Sequence, residues 1–295
     1  MVVPGDAIWT RRVTVIMRSL MCPTSLIDPG AGHGPLSAFP IARRWLPRHP
    51  ERLQLYSLPT PSGVKVSILL EALEQPYEAH RVSFEGLQQL SAEFLAASPN
   101  PKIPVILDPH GPQGRPLLLC ESAAILQYLA ERAGRLLDAE AGVGPEQARW
   151  QTLQWLAFCT GNLRPAVSQL GYWLRLAGHR RSESAHLAQL ISDMRRTLAV
   201  LERQLDGRRW ITGPCWTIAD IALWSWVRAL VRFYDAARSI GWDDFPQVQR
   251  VLAAFEAEPA VRRGRPVPLC GAAAPEPAPG AGSGDGAVSA ACRRS

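Results

Sequence analysis

The chain has 295 residues, of which 47% are hydrophobic and 20% are charged, so the composition predicts a packed protein and excludes a wholly disordered one. The net charge of +6 belongs to the termini, because residues 1–50 carry +4, residues 261–295 carry +3 and residues 51–260 carry −1. The middle of the chain therefore offers no basic surface, and we expect no nucleic-acid partner.

The cysteines and the apolar runs indicate the compartment. Six cysteines are scattered without a Cys-x-x-Cys pair, which argues against a disulfide framework and against a zinc site. No apolar run reaches the ~18 residues of a membrane helix, so no membrane partner is expected. Only five uncharged residues separate Arg12 from Arg18, fewer than the ~7–15 apolar residues of a secretion signal. These features predict a cytoplasmic protein, and an organellar transit segment near the N-terminus stays open as the alternative.

The first elements follow a long extension. Residues 1–50 are predicted to be a poorly ordered basic extension and linker, because residues 23–50 are rich in Pro and Gly. Residues 52–57 alternate apolar and polar side chains, which is typical of a strand. Thr60 and Pro61 then form a helix start signal for residues 64–74.

The rest of the first domain alternates strands and helices. Beyond the first strand and helix, the pattern predicts a strand at 77–83, a short helix at 91–97, a hairpin of strands at 104–108 and 116–120, and a helix at Ser122–Ala133. The order β-α-β-α-β-β-α over residues 51–137 is that of a thioredoxin-like α/β domain.

The pattern after this domain predicts helices only. Leucines and other apolar residues recur every three or four positions between Leu187 and Leu205, and Thr217 and Asp220 have the spacing of a capping box. Residues 145–262 are therefore predicted to form an all-helical bundle, and residues 263–295 an Ala/Pro/Gly-rich disordered tail.

Four short motifs add a family resemblance to this domain order. They are Thr-Pro-Ser-Gly at 60–63, Ser-Pro-Asn-Pro-Lys-Ile-Pro at 98–104, Glu-Ser-Ala-Ala-Ile at 121–125 and Leu-Gln-Trp at 153–155. Over about residues 51–262 the chain resembles the cytosolic glutathione S-transferases, and within them the Nu class of glutathione-dependent disulfide-bond reductases. The resemblance implies an enzyme that uses glutathione as a co-substrate and needs no metal.

The resemblance also assigns residues to the glutathione peptide. Ile103 and Pro104 are expected to form a cis step whose Ile103 backbone pairs with the cysteinyl unit, although a Pro that only starts a strand would look the same. Ser122 is expected to hold the γ-glutamyl carboxylate at a helix N-terminus or merely to cap that helix, and Glu121 to face the γ-glutamyl amine. Lys102 is expected either to meet a glutathione carboxylate or to be solvated.

Two further peptide and sulfur contacts come from the same resemblance. Gln89 matches a position that contacts the peptide in the Nu class. Thr60 is expected to donate a hydrogen bond to the glutathione sulfur, since a hydroxyl and a helix N-terminus lower a thiol pKa; the alternative is that it only caps the helix. Ser62 is the second catalytic residue that the resemblance implies: it stands where the Nu class usually has Asn, whose amide also faces the sulfur. A Ser hydroxyl could substitute for that amide, but its side chain is shorter, which puts high activity in doubt. Cys120 ends a strand and is expected to be a buried small residue.

The motif at 60–63 has no cysteine at the position where a thioredoxin carries its first reactive one, so the thiol must come from glutathione. The acceptor, a small disulfide or electrophile, is expected between the domains. The aromatic residues placed to line that cleft are Trp150, Trp155, Tyr172 and Trp173.

Two other functions stay open at this point. The first is a non-catalytic binding or regulatory module of the same fold, which Ser62 favours. The second is a glutathione-dependent dehalogenase or isomerase, which would share the residues around glutathione. Family habit implies a homodimer.

Overall fold

A computed structural model describes residues 36–138, 144–175 and 184–268 of the chain. The N-terminal part of this structure holds four strands: β1 (Leu53–Ser57), β2 (Tyr77–Arg81), β3 (Val105–Asp108) and β4 (Leu117–Cys120). The sheet order is β2-β1-β3-β4, with β1 parallel to β2 and the other neighbouring pairs antiparallel. This confirms the thioredoxin-like α/β arrangement that the sequence predicts.

Helices cover both faces of this sheet. They are α1 (Pro40–Arg44), α2 (Gly63–Ala72), α3 (Ala92–Leu95) and α4 (Ser122–Ala133). The central strands β1 and β3 are buried at every residue, and their side chains alternate between two cores. Leu55 and Ile106 join α2 and α4 in one core, whereas Tyr56 and Val105 join α1 and α3 in the other.

Part of the expected linker is folded. The prediction placed residues 23–50 in a linker, but residues 36–45 include α1, and Leu36, Phe39 and Ile41 are buried in the second core. The Glu78 carboxylate also accepts hydrogen bonds from the N–H groups of Arg48 and His49, at 2.9 Å and 2.8 Å. Residues 1–35 of the predicted extension lie outside the described residues.

The C-terminal part is helical throughout the described ranges. Its α-helices are α5 (Pro145–Phe158), α6 (Arg164–Arg175), α7 (Ser184–Leu205), α8 (Ile218–Arg228), α9 (Ala237–Ile240), α10 (Pro246–Ala257) and α11 (Pro259–Gly264). A π-helical segment, Cys159–Leu163, joins α5 to α6. The predicted capping box forms at the start of α8, because Thr217 and Asp220 exchange hydrogen bonds.

The end of the described chain packs against α2 rather than trailing away. The sequence predicted a disordered tail from residue 263, yet the Arg263 side chain donates to Glu71 at 2.8 Å and the Gly264 carbonyl accepts from Ser67 at 2.7 Å. A Cβ on Gly264 would lie 2.6 Å from the Ile68 Cα, so only glycine permits this approach. Residues 269–295 of the predicted tail lie outside the described residues. Among the described helices none is long and apolar enough to cross a membrane.

Candidate functional site

Strand polarity brings the sequence-predicted segments to one edge of the sheet. Tyr56 near the end of β1 pairs with Val105 at the start of β3, and Val105 pairs with Cys120 at the end of β4. The motif at 60–63 therefore follows β1 at the same edge where Ile103 precedes β3 and Glu121 follows β4. Since β2 runs parallel to β1, Gln89 also follows its strand at this edge.

Thr60 lies at the entrance to α2. Its Oγ1 accepts a hydrogen bond from the Gly63 N–H at 3.2 Å, and its carbonyl accepts from the Val64 N–H at 3.0 Å. The hydroxyl thus caps the helix and still has its own proton to donate. The capping and the donor interpretations of Thr60 are therefore compatible.

Ser62 and Gly63, which belong to the same motif, differ in how tightly the surrounding chain packs against them. Ser62 is half-buried and makes no capping bond to α2. A Cβ on Gly63 would collide with the Leu58 carbonyl oxygen and lie 2.5 Å from Ser57 Oγ, so the turn requires glycine there. The close approach holds the start of α2 against the end of β1.

The peptide bond between Ile103 and Pro104 is cis, as the family resemblance implied. Within the described residues, neither the N–H nor the carbonyl of Ile103 has a hydrogen-bond partner. The loop before it is fixed by the Ser98 hydroxyl, which lies 2.5 Å from the Asn100 carbonyl oxygen and 3.1 Å from that of Lys102. A backbone donor and acceptor are thus available next to β3 for an extended ligand.

Glu121 and Ser122 form an open helix N-terminus. Glu121 has φ +69°, a left-handed value that is uncommon outside glycine and often marks functional sites. No side chain caps α4, whose first helical bond runs from the Ile125 N–H to the Glu121 carbonyl at 3.0 Å. The preceding N–H groups of the first turn are left for an anion. Glu121 is exposed and forms no ion pair with the described residues.

Sequence reasoning missed Lys65, which lies on α2 directly behind this N-terminus. Its side chain is buried, with 2% of the residue exposed, and its Nζ lies 3.5 Å from Ser122 Oγ. The pKa of Lys65 is lowered to about 8, chiefly by burial and in smaller part by the neighbouring Arg164, while Cys159 and Glu121 oppose the shift. A lysine between valines in a continuous apolar helical run is the signal that could have found it.

The two remaining predicted residues have different environments. Gln89 is half-buried, and its Oε1 is shielded from solvent without a hydrogen-bond partner among the described residues. An unsatisfied amide oxygen is costly unless a ligand or water supplies a donor. Lys102 is exposed and forms no ion pair within the described ranges.

The free thiols in the described part of the chain are poor nucleophiles. Cys120 is half-buried rather than buried, and burial raises the pKa of its thiol. Burial raises the pKa of Cys159 to about 12. Both are protonated at neutral pH, so neither supplies a thiolate to the site. No group of three or more His, Cys, Asp or Glu among the described residues could hold a metal ion.

The aromatic residues expected around the acceptor do not all meet. Tyr172 and Trp173 contribute to a pocket of 340 Å³ on α6 and α7, whereas the ring of Trp155 packs on Phe158. Trp150 is 59% exposed. The residues that line the pocket are Ser168, Gln169, Tyr172, Trp173 and His186.

Comparison with known families matches both halves of the chain. Residues 55–140 match the model of the glutathione S-transferase N-terminal domain, and residues 184–254 match that of the glutathione S-transferase C-terminal domain. A curated relative, the disulfide-bond oxidoreductase YfcG of Escherichia coli (strain K12), is 38% identical over 182 residues. That match covers 61% of this chain and 81% of YfcG.

Two solved structures are similar over most of the chain. One is a glutathione transferase from Pseudomonas putida with one glutathione disulfide bound per subunit. It has a TM-score of 0.75 and 51% sequence identity, and the match covers 80% of this chain and 100% of that chain. The other is a glutathione transferase family member from Pseudomonas fluorescens pf-5 with two glutathione bound: TM-score 0.73 and 50% identity, covering 77% of this chain and 98% of that one.

Proposed function

This chain belongs to the glutathione S-transferase family, and on that premise we propose that it is an enzyme that binds glutathione and activates its thiol for attack on a small disulfide. The observation that carries the proposal is the meeting of three elements at one sheet edge: the Thr60 hydroxyl, the unpaired Ile103 backbone and the uncapped N-terminus at Ser122. Glutathione offers a thiol, a peptide backbone and a γ-glutamyl carboxylate, and each of these three elements matches one of them.

Each part of glutathione has a partner in this arrangement. The Ile103 N–H and carbonyl pair with the cysteinyl backbone as an added strand would. Ser122 and the first turn of α4 hold the γ-glutamyl carboxylate, and the unpaired Glu121 carboxylate holds the γ-glutamyl amine. Gln89 supplies its unsatisfied amide oxygen to the peptide, and Lys102 supplies a cation for the second carboxylate.

Thr60 acts on the sulfur. Its oxygen accepts from the Gly63 N–H through a lone pair, which leaves the hydroxyl proton to be donated to the thiolate, and that hydrogen bond lowers the thiol pKa. Ser62, whose side chain is shorter than the Asn usual in the Nu class, provides a second hydroxyl. Both residues stabilise the anion before attack.

The reaction consumes two glutathione molecules for each disulfide. The first thiolate attacks one sulfur of the acceptor, which breaks the S–S bond, releases one thiolate and leaves a mixed disulfide. A second glutathione thiolate attacks the glutathione sulfur of that mixed disulfide, so glutathione disulfide forms and the second acceptor thiolate leaves. Two electrons pass from two glutathiones to the acceptor, and solvent protonates the leaving thiolates. Attack on an electrophilic carbon uses the same thiolate and expels the leaving group instead.

Disulfides are favoured over carbon electrophiles as acceptors. The curated relative is named a disulfide-bond oxidoreductase, and one structural relative holds glutathione disulfide. The test is turnover of a small model disulfide with reduced glutathione, run beside conjugation of an aryl halide on the same preparation. Disulfide turnover well above conjugation is expected. Conjugation without disulfide turnover would overturn the preference and point to an ordinary transferase.

A non-catalytic binding module is the second candidate, and Ser62 in place of the usual Nu-class Asn favours it. Calorimetry with glutathione, combined with the two turnover assays, separates the two candidates. Glutathione binding without turnover of either acceptor would replace the enzyme by the module, and turnover excludes the module.

We also propose that the protein works as a homodimer in the cytoplasm, where glutathione is held reduced. Support comes from the loop after β2, where Phe84, Leu87 and Leu90 are 44%, 49% and 38% exposed and would be covered by a second copy. Sedimentation velocity is expected to show a dimer, and Leu87→Glu is expected to yield monomers. A monomeric wild-type protein would contradict this assembly.

A further inference from the structure

Two cations meet where the two domains contact each other. Lys65 on α2 and Arg164 at the start of α6 both lie over the ring of Trp226 on α8. The Lys65 Nζ is 5.6 Å and the Arg164 Cζ is 5.8 Å from the ring centroid. Trp226 is 7% exposed, Lys65 is 2% exposed and Arg164 is half-buried. The ring gives both cations a weakly favourable surface but no negative charge.

No carboxylate among the described residues pairs with either cation. The buried carboxylate of Asp220, on the same helix as Trp226, accepts from the N–H groups of Ile211 and Thr217 instead. A buried charge without a counter-ion is costly, and two like charges together cost more. The free protein therefore holds a positive charge that an incoming anion would compensate.

The contact between Lys65 and Ser122 links this positive charge to the start of α4. A lysine ammonium has donors only, so in the 3.5 Å contact the Ser122 oxygen is the acceptor. The Ser122 proton is then not used in the contact with Lys65 and is left for a ligand at the uncapped start of α4. A carboxylate at this N-terminus would receive the hydroxyl, the N–H groups and the field of both cations.

We propose that Lys65 and Arg164 complete a carboxylate subsite at the N-terminus of α4. Lys65 is a positioning residue that orients the Ser122 hydroxyl, and Arg164 adds positive charge from the helical domain. The inference rests on the proposed function, since the carboxylate is the γ-glutamyl α-carboxylate of glutathione. The subsite makes glutathione binding depend on contact between the two domains.

Lys65→Met separates this role from a structural one. Methionine keeps the length of the side chain, removes the charge and packs well on an aromatic ring. We expect the melting temperature of the free variant to rise, because an uncompensated buried charge is gone. We expect its dissociation constant for glutathione to increase roughly tenfold or more, as the loss of a charge-assisted hydrogen bond implies. A lower melting temperature with unchanged glutathione affinity would assign Lys65 to the core and overturn the proposal.

Arg164→Gln tests the contribution of the helical domain, and Arg175→Gln is its matched control. Both arginines lie on α6 and over an aromatic ring, since the Arg175 Cζ is 4.8 Å from the Phe233 centroid. Only Arg164 lies near Lys65. We expect severalfold weaker glutathione binding for Arg164→Gln and wild-type binding for Arg175→Gln. Equal effects of the two substitutions would remove Arg164 from the subsite.

A ligand analogue identifies the carboxylate. In 4-aminobutyryl-cysteinyl-glycine the α-carboxylate of the γ-glutamyl unit is missing. The wild type is expected to bind this peptide more weakly than glutathione, and Lys65→Met is expected to bind it as the wild type does, because the interaction is already lost. An equal loss on both ligands would overturn the subsite and leave the proposed function intact. Absence of glutathione binding to the wild type would overturn both.

Discussion

The charge on buried Lys65 predicts how the stability of the free protein depends on pH. Burial lowers the pKa of this lysine from 10.5 to about 8 in the folded state. At about 1.36 kcal/mol per pKa unit, the charged form costs the folded protein about 3 kcal/mol. Between about pH 8 and pH 10.5 the unfolded chain binds more protons than the native one, so stability rises with pH there. The cost is complete below pH 8 and absent above pH 10.5.

The variant Lys65→Met removes this titratable group, so its unfolding free energy is compared with that of the wild type. The other charged or titratable groups that act on Lys65 are Glu121, Arg164 and the Cys159 thiol, whose pKa of about 12 lies above this range. Denaturant unfolding of both proteins without glutathione measures the difference in unfolding free energy. We expect the variant to be more stable by about 3 kcal/mol at pH 7 and the difference to shrink steadily towards pH 10. A difference that does not change with pH, or a less stable variant at pH 7, would refute the reasoning.

Three further predictions concern the sulfur donor, the capping box and the docking of α11. Thr60→Ala is expected to slow disulfide reduction about tenfold or more with little change in glutathione affinity, while Thr60→Ser keeps most of the rate; equal rates for the two variants would contradict the donor role. Asp220→Ala leaves the buried Ile211 N–H without its acceptor and is expected to lower the unfolding free energy by about 1–3 kcal/mol. An unchanged midpoint of chemical denaturation would contradict this expectation. Gly264→Ala forces α11 away from α2 and is expected to lower the melting temperature. Gly161 has open space around it, so Gly161→Ala is expected to leave the melting temperature unchanged. Similar shifts for the two variants would argue against the close contact at Gly264.

Local signals predicted most of the elements around the site. The helix Ser122–Ala133 was predicted with its observed bounds, because a strand-like run, a Glu-Ser step and an apolar period meet there. Thr217 and Asp220 form the predicted capping box, whose chemistry is contained within four residues. The cis bond at Pro104 followed from the family resemblance and not from the residues themselves.

The elements and residues that the sequence did not predict depend on tertiary contacts that a single sequence does not show. The short helix α1 has too few residues for a periodic pattern, and Ile41 is buried only because the second face of the sheet needs a cover. Lys65 reads as a solvated charge until α2 is seen to be enclosed by α4, α8 and α11, which buries nearly all of that helix. Arg164 joins the site only through the contact between the domains.

The most direct test of glutathione-dependent disulfide reduction is its stoichiometry. Reduced glutathione and a small model disulfide are incubated with the protein, and glutathione disulfide, acceptor thiol and any conjugate are quantified together. The proposed function predicts one glutathione disulfide and two acceptor thiols for each disulfide consumed, at a rate that falls in Thr60→Ala. Formation of a glutathione conjugate without glutathione disulfide, or no turnover by a protein that binds glutathione, would contradict it.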